Sequence, residues 1–145
     1  LITRIHMAHY AELKNRVALI TGAAQGIGAE TARLFAAQGC HVAVVDIDAD
    51  NGEKVAAAIR GNGGSAQLFR TDITSETSVE QCIAGIAQAF GGIDIVINCA
   101  GGYGRLATVE DMPIDEWDRT VALNLRSVFL ICKMAIPWLK KSKAG

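Results

Sequence analysis

The chain has 145 residues, of which 50% are hydrophobic and 20% are charged, and its formal net charge is −1 at pH 7. This length and composition fit one globular domain with a substantial core. The near-neutral charge gives no electrostatic basis for binding nucleic acid or an anionic membrane. The longest contiguous apolar runs, such as residues 95–97 and 128–132, are too short to predict a membrane span. We therefore expect no nucleic-acid partner and no membrane partner.

The first residues, LITRIHMAHY, lack the apolar core and the cleavage site of a secretory signal. We interpret residues 1–12 as an N-terminal extension, in which Met7 is a candidate start and Leu1–His6 are candidates for a non-native addition. Residues 13–145 are predicted to form the folded domain. The four cysteines contain no C-x-x-C pair, which favours reduced thiols and a cytoplasmic location. No His, Cys and carboxylate group has the spacing of metal ligands, so no metal is expected.

Strands and helices alternate along the chain. Apolar runs at 17–20, 41–46, 66–72 and 93–98 predict four strands, and the segments 26–38, 50–60, 75–90 and 113–139 predict four helices. Three of the strands are almost wholly apolar, as parallel strands covered on both faces are. The third alternates and is expected nearer an edge. The fold class is therefore predicted as α/β: a Rossmann-like, doubly wound parallel sheet, here only its first four βα units.

The fourth predicted strand would lie at an apolar edge with no strand beside it, which natural proteins avoid because such edges aggregate. The chain ends at KKSKAG, where a fifth strand is expected. We therefore expect a longer protein, incomplete here at its C-terminus. Completing a sheet of six or seven strands would take on the order of 100 more residues.

The stretch Val17–Gly28 reads VALITGAAQGIG, an apolar strand that passes through a glycine-rich turn into a helix. A helix N-terminus offers free N–H groups and the positive end of its dipole to a phosphate. Glycine lets a diphosphate approach the backbone because no Cβ intervenes. The spacing is G-x3-G-x-G, which differs from the commoner G-x-G-x-x-G fingerprint. The predicted cofactor ligands here are Gly22, Gln25, Gly26, Ile27 and Gly28.

Asp46 ends the second predicted strand and is followed by Ile47. A carboxylate there can accept hydrogen bonds from both hydroxyls of an adenosine ribose and would repel a 2′-phosphate. This favours NAD over NADP, with Ile47 beside the same site. A helix N-cap and a solvated turn aspartate are the alternative interpretations of Asp46.

Two further segments end predicted strands. Asp72 and Ile73 follow the third strand, where a carboxylate would meet an adenine amino group and Ile73 the face of the ring; an Asx turn or cap is the alternative. Asn98, Ala100 and Gly101 end the fourth strand. The asparagine can tie neighbouring strands together, and the small residues leave room for a ribose and a nicotinamide. The alternative for this segment is an ordinary turn.

Asn124 interrupts the apolar stretch Val121–Leu125 of the long helix. An amide in such a stretch must find hydrogen-bond partners. Two interpretations stay open: a satisfied core asparagine that locally distorts the helix, or a residue that holds a water at an active site.

Taken together, these motifs resemble the short-chain dehydrogenase/reductase family. They are TGAAQGIG at 21–28, Asp46, Asp72-Ile73, NCAG at 98–101, and Trp117-Asp118 followed by Leu123-Asn124-Leu125. Cys99 stands where the family often has a second asparagine. The resemblance implies an oxidoreductase that transfers a hydride between NAD(H) and an alcohol or carbonyl substrate, as a homodimer or homotetramer. It also implies that Asn124 is catalytic, anchoring a water that relays protons.

The family's catalytic Ser and its Tyr-x-x-x-Lys pair would fall beyond Gly145, so this chain alone is predicted to be inactive. Tyr10 and Lys14 do spell that pattern, but they precede the first strand, and we interpret them as a chance match. The alternative function is a non-catalytic dinucleotide-binding or interaction module, if the natural chain ends at Gly145. A methyltransferase that uses S-adenosylmethionine is disfavoured by the glycine turn and by NCAG.

Overall fold

The computed structural model of the chain describes residues 10–142, so the interpretation of Leu1–His6 and Met7 lies outside the described residues. A short 3₁₀ turn, Ala11–Leu13, precedes the first strand. The alternating elements are β1 (Val17–Thr21), α1 (Gly26–Ala37), β2 (His41–Asp46), α2 (Ala49–Gly61), β3 (Ser65–Arg70), α3 (Glu76–Phe90), β4 (Ile95–Asn98), α4 (Ile114–Val121), a π-helical segment (Ala122–Arg126) and α5 (Ser127–Leu139).

The four strands form one parallel sheet in the order β3-β2-β1-β4. In register, Leu19 of β1 pairs with Ala43 of β2 on one side and with Val96 of β4 on the other. The predicted doubly wound α/β class is confirmed. The third strand lies at an edge, as its alternation predicted, but it ends at Arg70. Asp72 therefore lies two residues beyond the strand, in the turn before α3.

Each face of the sheet has its own hydrophobic core, because successive side chains of a strand point to opposite faces. Ala18 and Ile20 of β1 pack with α1 and α2, whereas Leu19 packs with α3 and α5. Small residues bring α1 close to its face of the sheet. They are Ala29, Ala32 and Ala36.

The two edges of the sheet differ in composition. The β3 edge reads SAQLFR and alternates in burial, and Gly52 of α2 lets that helix approach the side chain of Leu68 closely. The β4 edge reads IVIN, and every residue of it is only partly buried. The sequence of β4 is therefore that of an interior strand, although β4 lies at an edge and is only partly covered.

The long C-terminal helix is continuous from Ile114 to Leu139 but contains the π-helical segment Ala122–Arg126. By length and composition alone, this helix is long and apolar enough to cross a membrane. The contiguous apolar runs in the sequence did not predict such a helix, because its apolar residues are interrupted by polar ones. Core helices pass the same test, so this is weak evidence for a span. On one side of the helix, Leu130, Ile131 and Ala135 are buried in the core.

Candidate functional site

A cavity of about 570 Å³ lies at the carboxyl ends of the strands. It gathers residues from five separate segments of the chain, and most of the predicted ligands line it. These are Gly22, Gln25, Gly26, Ile27, Gly28, Asp46, Ile47, Asp72, Ile73, Ala100 and Gly101. Val45, Thr71, Cys99 and Leu123 also line it, and sequence reasoning missed them. Asn98 and Asn124 are not part of its lining.

Backbone packed against backbone forms the glycine-rich turn. A Cβ built on Gly28 would lie 2.2 Å from the carbonyl oxygen of Gly22, and one on Gly22 would lie 2.7 Å from Cα of Ala100. Gly22 also has a φ of +64°, which L side chains rarely adopt. Gly26, in contrast, has no atom within 4 Å of its built Cβ. Gly22 and Gly28 thus allow close backbone packing within the turn, whereas Gly26 leaves its backbone accessible to a ligand.

Thr21, the last residue of β1, fixes the β4 end of the cavity. Its buried Oγ1 accepts hydrogen bonds from the N–H groups of Cys99 and Ala100, both at 3.1 Å. Asn98 was expected to tie the strands, but its Nδ2 instead donates to Sγ of Cys132 at 3.6 Å. That expectation was wrong because the shorter threonine hydroxyl occupies the junction. The signal in the sequence was a lone hydroxyl closing an apolar strand.

The carboxylate of Asp46 links the end of β2 to the glycine turn. Its Oδ2 accepts the N–H of Ala24 at 2.9 Å, and its Oδ1 accepts the N–H of Asp48 at 3.0 Å. The N-cap of α2 is Asp48 and not Asp46, so that alternative was wrong. Asp46 is a turn aspartate that also lines the cavity. A carboxylate has about four lone-pair sites, so two bonds leave room for a ligand's hydroxyl groups.

Asp72 closes an Asx turn before α3. Its Oδ1 accepts the N–H of Thr74 at 2.9 Å and the hydroxyl of Thr74 at 2.6 Å, and its own N–H donates to Oγ of Ser78 at 3.0 Å. Ile73, between the two bonded residues, is 7% exposed and lines the cavity. Asp72 therefore forms the Asx turn and also lines the cavity, and its contact with an adenine stays a prediction. The N-cap of α3 is Ser75, whose side chain accepts the N–H of Ser78.

Asn124 lies in the π-helical segment and clamps the loop after β4. Its Oδ1 accepts the N–H of Gly102 at 3.0 Å, and its Nδ2 donates to the carbonyls of Gly102 at 2.7 Å and Thr120 at 2.8 Å. The hydroxyl of Ser127 donates to the carbonyl of Leu123, which competes with regular helical bonding there. Asn124 is thus a satisfied asparagine in a distorted helix. Its side chain is exposed, so of the first interpretation the satisfied amide and the distorted helix are observed but the core position is not.

The Tyr10 and Lys14 pair lies far from this cavity. The N–H of Tyr10 donates to Oε1 of Gln38, and Lys14 packs beside Gly39, just before β2 begins. Both residues are thus at the amino end of the sheet, opposite the glycine turn. Their position agrees with a chance match to the catalytic pattern.

The cysteines and possible metal ligands offer no second site within residues 10–142. Cys40, Cys82, Cys99 and Cys132 are free thiols. Burial raises the pKa of the Cys82 thiol and of the Cys40 thiol. The negative charge of Asp94 raises the pKa of Cys40 further. Raised thiol pKa values make these two cysteines poor nucleophiles. No group of three or more metal-ligating side chains occurs in this described part of the chain.

The fold and the cavity together define a class of protein. A parallel sheet whose first strand feeds a glycine turn and a helix N-terminus, with a carboxylate ending the neighbouring strand, is the arrangement of dinucleotide-binding α/β proteins. The sequence model described as short chain dehydrogenase matches residues 16–145. The chain belongs to the short-chain dehydrogenase/reductase family, whose members bind a nicotinamide cofactor, NAD or NADP.

Several relatives and solved structures resemble the chain. D-threitol dehydrogenase of Mycolicibacterium smegmatis is 41% identical over 83% of this chain and 46% of its own length. The 2,5-dichloro-2,5-cyclohexadiene-1,4-diol dehydrogenase LinX of Sphingobium indicum is 40% identical over 92% of this chain and 53% of its own. A crystal structure of a hydroxysteroid dehydrogenase from Escherichia coli superposes with a TM-score of 0.84 at 37% identity, covering 90% of this chain and 56% of that one. The chain thus spans about half the length of the curated relatives it matches.

Proposed function

We propose that this chain is the cofactor-binding half of an NAD-dependent oxidoreductase acting on an alcohol or carbonyl substrate. The observation that carries the proposal is the Asp46 carboxylate, which lines the cavity beside the glycine turn. The described residues that line the cavity include no Lys or Arg to pair with a 2′-phosphate. A carboxylate without a neighbouring cation favours the free ribose hydroxyls of NAD over the phosphate of NADP.

Each part of the lining has a proposed task toward the dinucleotide. The N–H groups at the start of α1 and the open backbone of Gly26 seat the diphosphate. Asp46 accepts the ribose hydroxyls, and Ile73 with Asp72 holds the adenine end. When bound, the nicotinamide supplies the site that accepts or donates a hydride. Asn124 holds the loop after β4 through Gly102 and, as the family resemblance implies, positions a water for proton relay.

We infer that a catalytic Ser and a Tyr-x-x-x-Lys pair follow in the complete protein, and that the present half does not catalyse alone. The half-covered β4 edge supports this inference, and so does the end of α5. Ser142 donates its hydroxyl to Oδ1 of Asp94, and the other oxygen of Asp94 accepts the N–H of Val17 at 2.8 Å. This brings the chain back to the amino end of the sheet beside β4, where a parallel fifth strand would begin.

We also propose a homodimer or homotetramer in the cytoplasm. The helix α4–α5 leaves several large apolar side chains exposed, among them Trp117, Leu125 and Phe129 at 59%, 69% and 62%. A second copy of the same helix would cover this face in an isologous contact. Light scattering of the full-length protein tests this proposal, and a monomer at micromolar concentration would contradict it.

The proposed cytoplasmic location rests only on the free thiols.

The NAD preference is tested by Asp46→Asn in the full-length protein, with Asp48→Asn as the matched control. Asp46→Asn removes the charge that accepts the ribose hydroxyls, so we expect NAD binding to weaken about tenfold, because bonds to a charged group contribute ~1.5–3 kcal/mol. NADP binding should weaken less or improve. Asp48→Asn should alter neither. Titration of both cofactors measures the ratio, and an unchanged ratio in Asp46→Asn would refute the ribose role.

The activity itself is tested by the reading frame beyond Gly145 and by the intact mass of the protein. A Tyr-x-x-x-Lys within the following residues, together with NAD-linked oxidation of simple alcohols, is expected. A stop codon after Gly145 would instead favour the non-catalytic dinucleotide-binding module.

A further inference from the structure

Two walls of the cavity come from segments far apart in the sequence. Ile73 belongs to the turn between β3 and α3, and Leu123 belongs to the π-helical segment; both line the cavity. A single side chain bridges these segments: Nη1 of Arg126 donates to the carbonyl of Thr74 at 2.7 Å, across 52 residues of sequence. The bond therefore joins the segment that carries Ile73 to the segment that carries Leu123, through two residues that do not line the cavity themselves.

The turn that Arg126 holds is fixed internally. The N–H and the hydroxyl of Thr74 both donate to Oδ1 of Asp72, while its carbonyl accepts from Arg126. Ile73 lies between these two bonded residues. The Thr74 carbonyl thus belongs to the same hydrogen-bonded turn as Asp72 and Ile73, which both line the cavity.

The π-helical segment sends two side chains in different directions. Asn124 bonds to Gly102 in the loop after β4, and Arg126 bonds to Thr74 in the turn after β3. Single turns of π-helix inside an α-helix are frequent at functional sites. Here the segment connects the loops on both sides of Leu123. We propose that Arg126 is a positioning residue that sets the adenine end of the cofactor cavity, an inference that rests on the proposed dinucleotide site.

The same helix provides a matched control. Lys133 of α5 carries the same charge and reaches the first residue of α3, where its Nζ lies 3.8 Å from Oε1 of Glu76. Both side chains of that ion pair are more than half exposed. Neither residue lines the cavity. Removing the Lys133 charge therefore deletes a cation and a contact to α3 without touching the Asp72–Thr74 turn.

The experiment compares Arg126→Met, Arg126→Lys and Lys133→Met in the full-length protein. The probes are NAD, ADP-ribose as the adenine half, and nicotinamide mononucleotide as the other half. We expect Arg126→Met to weaken NAD and ADP-ribose about three- to tenfold, because an exposed charge-assisted bond is lost. Binding of nicotinamide mononucleotide should stay unchanged. Arg126→Lys should recover most of the loss, since a lysine can still donate to one carbonyl, and Lys133→Met should match the wild type.

The outcomes separate the two hypotheses. A wild-type protein that binds neither NAD nor ADP-ribose contradicts the proposed function. If the wild type binds both, unchanged ADP-ribose binding in Arg126→Met overturns the positioning role. An equal loss in Lys133→Met also overturns it, because the effect would then follow charge alone. Equal weakening of both half-ligands in Arg126→Met and no recovery in Arg126→Lys would likewise overturn it, because they indicate general loss of structure.

Discussion

The cavity has two sides that are built by different means. On the glycine side, Gly22 and Gly28 pack backbone against backbone, with no space for a single added carbon. On the second side, side-chain hydrogen bonds of Asn124 and Arg126 hold the π-helical segment to the loop after β4 and to the turn after β3. The glycine side requires residues without a Cβ, whereas the second side requires the hydrogen-bonding side chains of Asn124 and Arg126.

This difference assigns different work to the two sides. Backbone N–H groups at a helix N-terminus bind any phosphate and carry little information about the rest of a ligand. Side chains that hold loops in place determine which residues a bound ligand contacts. We therefore expect substitutions on the glycine side to abolish binding and lower stability together, and substitutions on the side-chain side to change function with little change in stability.

The largest effect is expected for Gly28→Ala, which tests the glycine side. Its Cβ would lie 2.2 Å from the carbonyl oxygen of Gly22, and neither backbone can move freely. We expect the free energy of unfolding to fall by about 3 kcal/mol, at the upper end of overpacking costs, and NAD binding to be lost. Urea denaturation and NAD titration measure the two effects.

Gly61→Ala is the control for Gly28→Ala. Gly61 is the last residue of α2, and nothing lies within 4 Å of its built Cβ. Since alanine favours helix, this variant should be neutral or stabilising by up to about 1 kcal/mol. Equal destabilisation by both substitutions would show that the close contact at Gly28 is not the cause.

A smaller and different effect is expected for Asn124→Ala, on the side-chain side. The change removes both bonds to Gly102 and the bond to Thr120, but water can reach the freed groups because the site is exposed. We expect turnover of the full-length protein to fall at least about a hundredfold, the lower end of the range for a lost proton-transfer group, while the Kd for NAD changes little. Unchanged turnover would show that Asn124 only supports the helix. Equal losses in turnover and NAD affinity would contradict the contrast between the two sides.

These two sides also explain how far the sequence could predict the molecule. The strands were predictable because runs such as VAVV in β2 are apolar throughout, and the glycine turn because its spacing is local. The roles of Thr21 and Arg126 were not, since their partners lie 78 and 52 residues away in sequence. Asn124 was singled out as a polar residue in an apolar stretch, but its clamp on Gly102 required the fold.

The smallest expected effect lies outside both sides of the cavity, at the N-terminus of α2. The N–H of Asn51 donates to the Asp48 side chain and, with the amide of Asn51, holds the pKa of Asp48 below its ordinary value. Since the pKa is lower in the folded state, this stabilisation is present above the ordinary aspartate pKa of about 3.9 and is lost as the pH falls through the folded value. Asp48→Asn keeps a capping oxygen but does not titrate. We therefore expect the thermal midpoint of the wild type to fall slightly more than that of Asp48→Asn between pH 5 and 3 (about one unit on either side of that pKa). Parallel curves would refute the assignment. A change in NAD affinity at pH 7 in this variant would show that α2 communicates with the cavity and that the division into two sides is incomplete.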